Sequence, residues 1–177
     1  MNLFSDPSIS IATVTDIPSL EALLNRAYRG ESSKQGWTSE AHLIAGERRT
    51  DAATLQQVMQ QPGSVFLKFS HENGFLAGCV NLQQHGSKLY LGMFSVAPGM
   101  QGGGIGKRIL AATEEYAKQV NSTSIYMSVI SVRTELIDWY KRYGYVDKGE
   151  RKAFPQDELT GTHLQPLEFL ILEKAIP

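Results

Sequence analysis

An α/β domain with a mixed, mostly antiparallel sheet and helices on both faces is what this sequence predicts, and three observations predict it. Strand-like segments come first as a run of hairpins and then alternate with helical ones. No repeat, low-complexity tract or linker divides the chain. Its 177 residues, 42% hydrophobic and 20% charged, suffice to bury the core of one domain, so residues 1–177 are read as a single unit.

Each element follows from local pattern. Ile9, Ile11 and Thr13 alternate with small residues as in a short strand, and Thr15-Asp16-Ile17-Pro18 supplies an N-cap and an early proline for a helix ending near Tyr28. Ile17, Leu20, Leu24 and Ala27 recur at threes and fours on one helical face, leaving Glu21 and Asn25 to water. The polar segment from Arg29 to Gly36 reads as a loop. Thr38-Ser39-Glu40 then caps a second helical stretch reaching about Gly46, and Thr50 or Asp51 caps a third, Ala52 to Gln61, stopped by Pro62-Gly63. Val65 to Phe69, Phe75 to Gln83 and Leu89 to Val96 read as three strands of an antiparallel meander, joined at Glu72-Asn73-Gly74 and His85-Gly86-Ser87-Lys88. Ile105 to Val120 has helical spacing, Ser124 to Ile130 has strand chemistry, and Thr134 to Tyr143 is helical with Gly144 as the residue just past its end. The two prolines and one glycine between Arg151 and Pro166 argue against regular structure there, and Leu167 to Glu173 is the last strand.

Composition removes several functional classes. A formal charge of −1 and a pI near 6.4 give no basic excess to neutralise phosphates or anionic lipid, which disfavours nucleic acid and membrane partners. Cys79 is the only cysteine, excluding an internal disulfide and a cysteine-rich metal site, and no metal is expected. The first residues lack a basic start and an apolar core like those of a secretory signal, and no apolar run reaches spanning length, so a cytoplasmic location is the default.

The most informative segment is Gln101-Gly102-Gly103-Gly104-Ile105-Gly106-Lys107-Arg108. Four glycines in five positions, between a predicted strand and a predicted helix, are an entropically costly way to make a plain turn. They are the expected way to aim free backbone N–H groups at an anion. A nucleotide P-loop would need Gly at position 101 and Ser or Thr at 108, where the chain has Gln101 and Arg108; a dinucleotide fingerprint would need Gly at 107, where it has Lys107.

The spacing of Gln101, Gly104 and Gly106 resembles instead the Gln/Arg-x-x-Gly-x-Gly/Ala pyrophosphate loop of the GNAT superfamily of acyl-CoA N-acyltransferases, preceded here by Ser95-Val96-Ala97-Pro98. A second segment, Leu136 to Tyr145, is similar to that superfamily's tyrosine-bearing helix followed by Gly and an aromatic residue. The resemblance spans Leu89 to Tyr145 and implies the acyl-CoA N-acyltransferase fold. It further implies transfer of an acetyl group from acetyl-CoA to an amine acceptor, most simply a small molecule, with protein lysine or N-terminal acetylation and a non-catalytic acyl-CoA sensor as alternatives. A homodimer is compatible with it.

The resemblance also assigns roles. Gln101, Gly102, Gly103, Gly104, Ile105, Gly106 and Lys107 would hold the pyrophosphate, the main chain of Phe94, Ser95 and Val96 would pair with the pantetheine arm as an added strand, and Tyr140 would be the acid that protonates the departing sulfur. Many members carry Asn seven residues before that tyrosine. Arg133 stands there in this chain, and is expected to reach cofactor phosphate or carbonyl groups. Trp37 and Glu40 fall in the superfamily's variable acceptor region, as a pocket wall and a candidate base, with His42 beside them. Cys79, expected in mid-strand, favours direct transfer over an acyl-enzyme.

Overall fold

A computed structural model describes residues 3–29, 39–46, 48–154, 159 and 161–177. The first helix starts where its sequence signals place it. The Asp16 carboxylate accepts from the Thr13 N–H at 2.8 Å around a short 3₁₀ turn, Val14–Asp16, and Pro18 sits in the first turn of α1 (Ile17–Tyr28). The buried face of α1 is Ile17, Leu20, Leu23, Leu24 and Ala27. Asp51 caps α2 (Ala52–Gln60) by accepting from the Thr54 N–H at 2.8 Å. Together α1 and α2 cover one face of the sheet, burying Leu20, Leu24 and Leu55 with Phe66 and Cys79.

The main sheet contains β1 (Ile9–Ile11), β3 (Ser64–Ser70), β4 (Leu76–His85), β5 (Lys88–Val96), β6 (Ser124–Ile130), β7 (Val146–Ala153) and β9 (Glu168–Ala175). Its order is β1-β3-β4-β5-β6-β9-β7, and every pairing is antiparallel except β5 with β6. The expected meander is β3-β4-β5. Residues Leu76 to Leu82 of β4 are buried on both faces, because α3 (Ile105–Gln119) and α4 (Thr134–Arg142) cover the side opposite α1 and α2. Val80 and Leu82 join the α3 side and Cys79 the α1 side, as a period of two requires. Gly144 has φ +96 just past α4, the left-handed stop expected of it. Among the described residues no helix is long and apolar enough to cross a membrane.

Two expectations fail. The helix predicted from residue 38 to 46 is absent from its described part: Glu40 O accepts from Leu43 N–H and Ile44 N–H at 2.9 and 2.8 Å, making one turn. The chain then forms β2 (Ile44–Ala45), which pairs with β8 (Thr162–His163). Leu43 and Ile44 are buried against Ile130, Phe154 and Phe169, a tertiary gain that outweighs the helical preference of a short segment. The segment expected to be irregular after Arg151 holds the end of β7 and all of β8.

Candidate active site

Positive φ at Gly102 (+90) and Gly104 (+82) shapes the head of α3. The first backbone bond of α3 runs from Arg108 N–H to Gly104 O at 3.0 Å, so the N–H groups of Ile105, Gly106 and Lys107 precede it and have no partner within the helix. No heavy atom lies within 4 Å of where a Cβ on Gly102 or Gly104 would stand. This open space belongs to a cleft of about 420 Å³ between the loop and the α4 residues Glu135, Trp139 and Arg142, with Tyr143 just past the helix end. At Gly106 the opposite constraint holds, since a Cβ there would lie 3.4 Å from the rings of Phe94 and Trp139. Lys107 lines the cleft, whereas Arg108 turns away, bonding Asp6 at 2.8 Å and lying 4.5 Å from the Phe69 ring centre.

Beside this cleft the sheet divides. The parallel pairing of β5 with β6 lasts only from Lys88 to Tyr90 against Ser124 to Tyr126. A bulge on β5 then sets Met93 and Phe94 against the single residue Val80, with Met93 at φ +50. Ala97 N–H reaches Ala77 O on β4 at 2.8 Å, so alternation turns the main-chain groups of Phe94 and Val96 toward the gap. Their carbonyls are already engaged: the Tyr28 hydroxyl donates to Phe94 O, and Gln101 Nε2 donates to Val96 O at 3.1 Å. Ser95 is buried with its hydroxyl 3.5 Å from Cys79 Sγ.

A smaller chamber of about 110 Å³ occupies the split, several times the roughly 10–15 Å³ that one water needs. Met93 and Phe94 wall one side, Val129 and Ile130 the other, with Tyr140 from α4 and Tyr28 from α1. The Tyr140 ring sits in a cluster of aromatics, tilted against Phe94 with ring centres 6.1 Å apart and edge-on to Trp139 and Tyr145 at 5.2 and 5.9 Å. Burial, with smaller contributions from Tyr28 and Tyr145, pushes its phenol well above the ordinary tyrosine value. Burial likewise raises Tyr28, helped by the charge of Glu40.

Glu40 is not the exposed side chain its polar surroundings in sequence suggest. It is buried, its N–H donates to Tyr28 O at 2.9 Å, and its carboxylate forms an ion pair with Arg29, itself only 1% exposed. Arg133, at the head of α4 and also buried, brings Nη1 to 3.9 Å from the other carboxylate oxygen. Arg133 therefore belongs to the chamber and not to the glycine-loop cleft. Arg49 completes the group, lining the chamber with its guanidinium 5.6 Å from the Tyr28 ring centre.

The loop from Gln101 to Lys107, the strand end from Phe94 to Val96, and Tyr140 thus come together around two cavities parted by the Phe94 and Trp139 rings, whose centres are 6.0 Å apart, with Glu40 and Arg133 at the chamber. Trp37 lies outside the described residues. His42 is exposed near the start of α4, and His85 is exposed at the end of β4, bonded to the Tyr126 hydroxyl at 2.7 Å. Cys79 is buried and its thiol is pushed up to about 12 by burial, closed to nucleophilic use. Among the described residues no group of three or more His, Cys, Asp or Glu is placed to hold a metal. Tyr28, Arg29 and Arg49 were missed by pattern reading, because each stands alone in sequence and acquires its meaning only from Glu40 and Phe94 across the fold.

A sheet split beside a glycine-headed helix defines the GNAT N-acyltransferase fold, and solved structures agree. The chain superposes on the ribosomal-protein-S18-alanine N-acetyltransferase from Escherichia coli with a TM-score of 0.71 at 16% identity, covering 96% of this chain and 93% of that one. For the ribosomal-protein-alanine N-acetyltransferase from Brucella melitensis the TM-score is 0.69 at 20% identity, covering 94% and 98%. Nourseothricin acetyltransferase matches over 66% of this chain and 67% of its own, with a TM-score of 0.58 and 23% identity. No curated protein sequence is significantly similar. The family model for the acetyltransferase (GNAT) domain matches residues 38–160, and the chain belongs to that family.

Proposed function

We propose that this protein is an acetyl-CoA-dependent N-acetyltransferase of the cytoplasm that passes the acetyl group directly to an amine. The observation that carries the reading is the placing of two cavities on either side of the Phe94–Trp139 contact, one headed by the N–H groups of a glycine loop that have no partner within the helix and the other set in the split between β5 and β6. Acetyl-CoA supplies an acyl group activated as a thioester. The N–H groups at Ile105, Gly106 and Lys107 suit its pyrophosphate, and the open space over Gly102 and Gly104 suits the close approach of phosphate to backbone. Phe94 and Val96, with carbonyls occupied, offer N–H donors to amide and thioester oxygens.

Chamber residues govern the protons. The raised phenol of Tyr140 stays protonated through the neutral range, so it donates a hydrogen bond toward departing sulfur and releases its own proton only as another arrives. Glu40 is held by Arg29 and Arg133, which makes it a structural anion and leaves the base to water. Nearby guanidinium charge disfavours the ammonium form of an entering amine and so favours the neutral nucleophile. Close positioning then supplies much of the acceleration. The test is release of free CoA thiol from acetyl-CoA across a panel of amines, with mass detection of the N-acetyl product. Tight CoA binding without turnover on any amine would leave a cofactor-binding module instead.

A further inference from the structure

The chamber runs through the sheet, from the face that carries α3 to the face that carries α1. Alternation turns Leu89, Leu91, Ile125 and Met127 into the core under α3, and so turns Tyr90, Tyr126 and Ser128 to the opposite face. Tyr140 lines the chamber from the α3 face, whereas Tyr90 and Ser128 line it from the other. The glycine loop heads α3, so with the cofactor cleft on that face an acceptor enters from the side of Tyr90. There α1 and α2 bury Phe66 and Cys79 but leave Tyr90 and Tyr126 half-buried and His85 exposed.

Those three rings form a platform that starts in the chamber wall. Tyr90 and Tyr126 are cross-strand partners with ring centres 5.2 Å apart. The His85 ring is parallel to Tyr90 to within 1° at 6.0 Å, and a hydrogen bond of 2.7 Å joins its Nδ1 to the Tyr126 hydroxyl. Gly92 makes room for this arrangement: its φ lies outside the left-handed region, and a Cβ there would stand 3.0 Å from the Tyr90 ring. The glycine thus serves a side chain and not the backbone, letting Tyr90 lie along β5 toward the chamber. Charges beside the rings cancel, since Lys88 and Glu173 bond each other at 3.1 Å, and Arg49 at the chamber repels a second cationic group. What the platform offers a ligand is π surface. Taking as its basis the N-acetyltransferase reading above, we propose that the acceptor is an amine joined through a short saturated link to an aromatic ring, the ring resting on Tyr90 and Tyr126 and the amine reaching past Tyr90 into the chamber.

Measured kcat/KM for phenethylamine, cyclohexylethylamine and butylamine with saturating acetyl-CoA tests the proposal. Phenethylamine is expected to exceed butylamine by about tenfold or more, from the ring area it buries. It should exceed cyclohexylethylamine by about 2- to 12-fold, the factor that aromatic pairing adds beyond area. Tyr126→Leu keeps an apolar side chain on that face and should bring phenethylamine level with cyclohexylethylamine, whereas a ring that only packs the sheet would alter all three amines alike. His85→Ala, at an exposed position, frees Tyr126 from its hydrogen bond and should lower the same preference. Parity of phenethylamine with either comparison amine in the parent, or a preference undiminished in either variant, would overturn the proposal. If acetyl-CoA binds and no amine is acetylated, the N-acetyltransferase reading falls by itself. Titration of the three amines into the protein then decides the aryl site: the same order of affinities upholds it, and equal affinities or no binding at millimolar concentration overturn it.

Discussion

Replacing Gly104 with Val separates the two things that this glycine does. Gly104 has φ +82 and ψ 4, and space for a Cβ is open, so a side chain there meets no protein atom and the structural penalty is confined to the backbone. Holding a β-branched residue in the left-handed region costs about 1–3 kcal/mol. For a chain of this length each kcal/mol lowers Tm by roughly 2–4 °C, so a fall of about 2–12 °C is expected. Gly86, in the turn between β4 and β5, is a matched control: its φ is +61 and nothing lies within 4 Å of its Cβ position. Gly86→Val should lose a similar amount of stability and keep its affinity for CoA, whereas Gly104→Val should lose at least tenfold in affinity, because the valine fills the space over the phosphate-facing N–H groups. Thermal melts and CoA calorimetry on both variants read the two effects independently. A folded Gly104→Val protein with parental affinity would refute the assignment of the loop.

Acetyl-CoA at a hundredfold excess over its dissociation constant should stabilise the protein by about 2.7 kcal/mol, a rise of roughly 5–11 °C in Tm that ATP and NADH do not match; an equal rise with ATP would count against the family's cofactor. Tyr140→Phe keeps the ring contacts with Phe94, Trp139 and Tyr145 and removes the hydroxyl, so kcat should fall by ~10²–10⁴ with CoA affinity nearly unchanged. A kcat within threefold of the parent would remove Tyr140 from the proton path. Asp6 is held below the ordinary carboxyl value, chiefly by its hydrogen bond to the partly exposed Arg108. Its stabilisation is therefore present above about pH 4 and lost as pH falls through the lowered value. Asp6→Asn should melt below the parent at pH 7 and converge with it in acid; a gap unchanged at pH 2 would contradict the linkage.

Legibility in the sequence followed local physical cause. The β3-β4-β5 meander and α3 were readable because alternation and a period near four record which faces are buried, and the loop was readable because four glycines in five positions stand out from any ordinary turn. β7 was not readable: its eight residues, VDKGERKA, are all exposed at the sheet edge, so burial imposed no alternation on them. Residues 39–46 carry a helix-like start signal at Ser39-Glu40, yet Leu43 and Ile44 gain more by packing on Ile130 and pairing with β8. The glycine-loop cleft was thus visible as a motif, and Glu40 and Arg133 were singled out, but their meeting with Tyr28, Arg29 and Arg49 in one chamber was not, since these residues are drawn from separate elements with no fixed spacing.

The engaged carbonyls of Phe94 and Val96 have a consequence for solubility. A sheet that divides exposes an inner edge, and an unpaired edge is a template on which another chain's strand can zip. Zipping requires donors and acceptors to alternate along the edge. Tyr28 and Gln101 cover both acceptors on the gap side, so an incoming peptide strand would face donors only and leave its own N–H groups without partners. The same two side chains that leave the gap receptive to a carbonyl-rich ligand thereby make the β5 side of it a poor seed for aggregation.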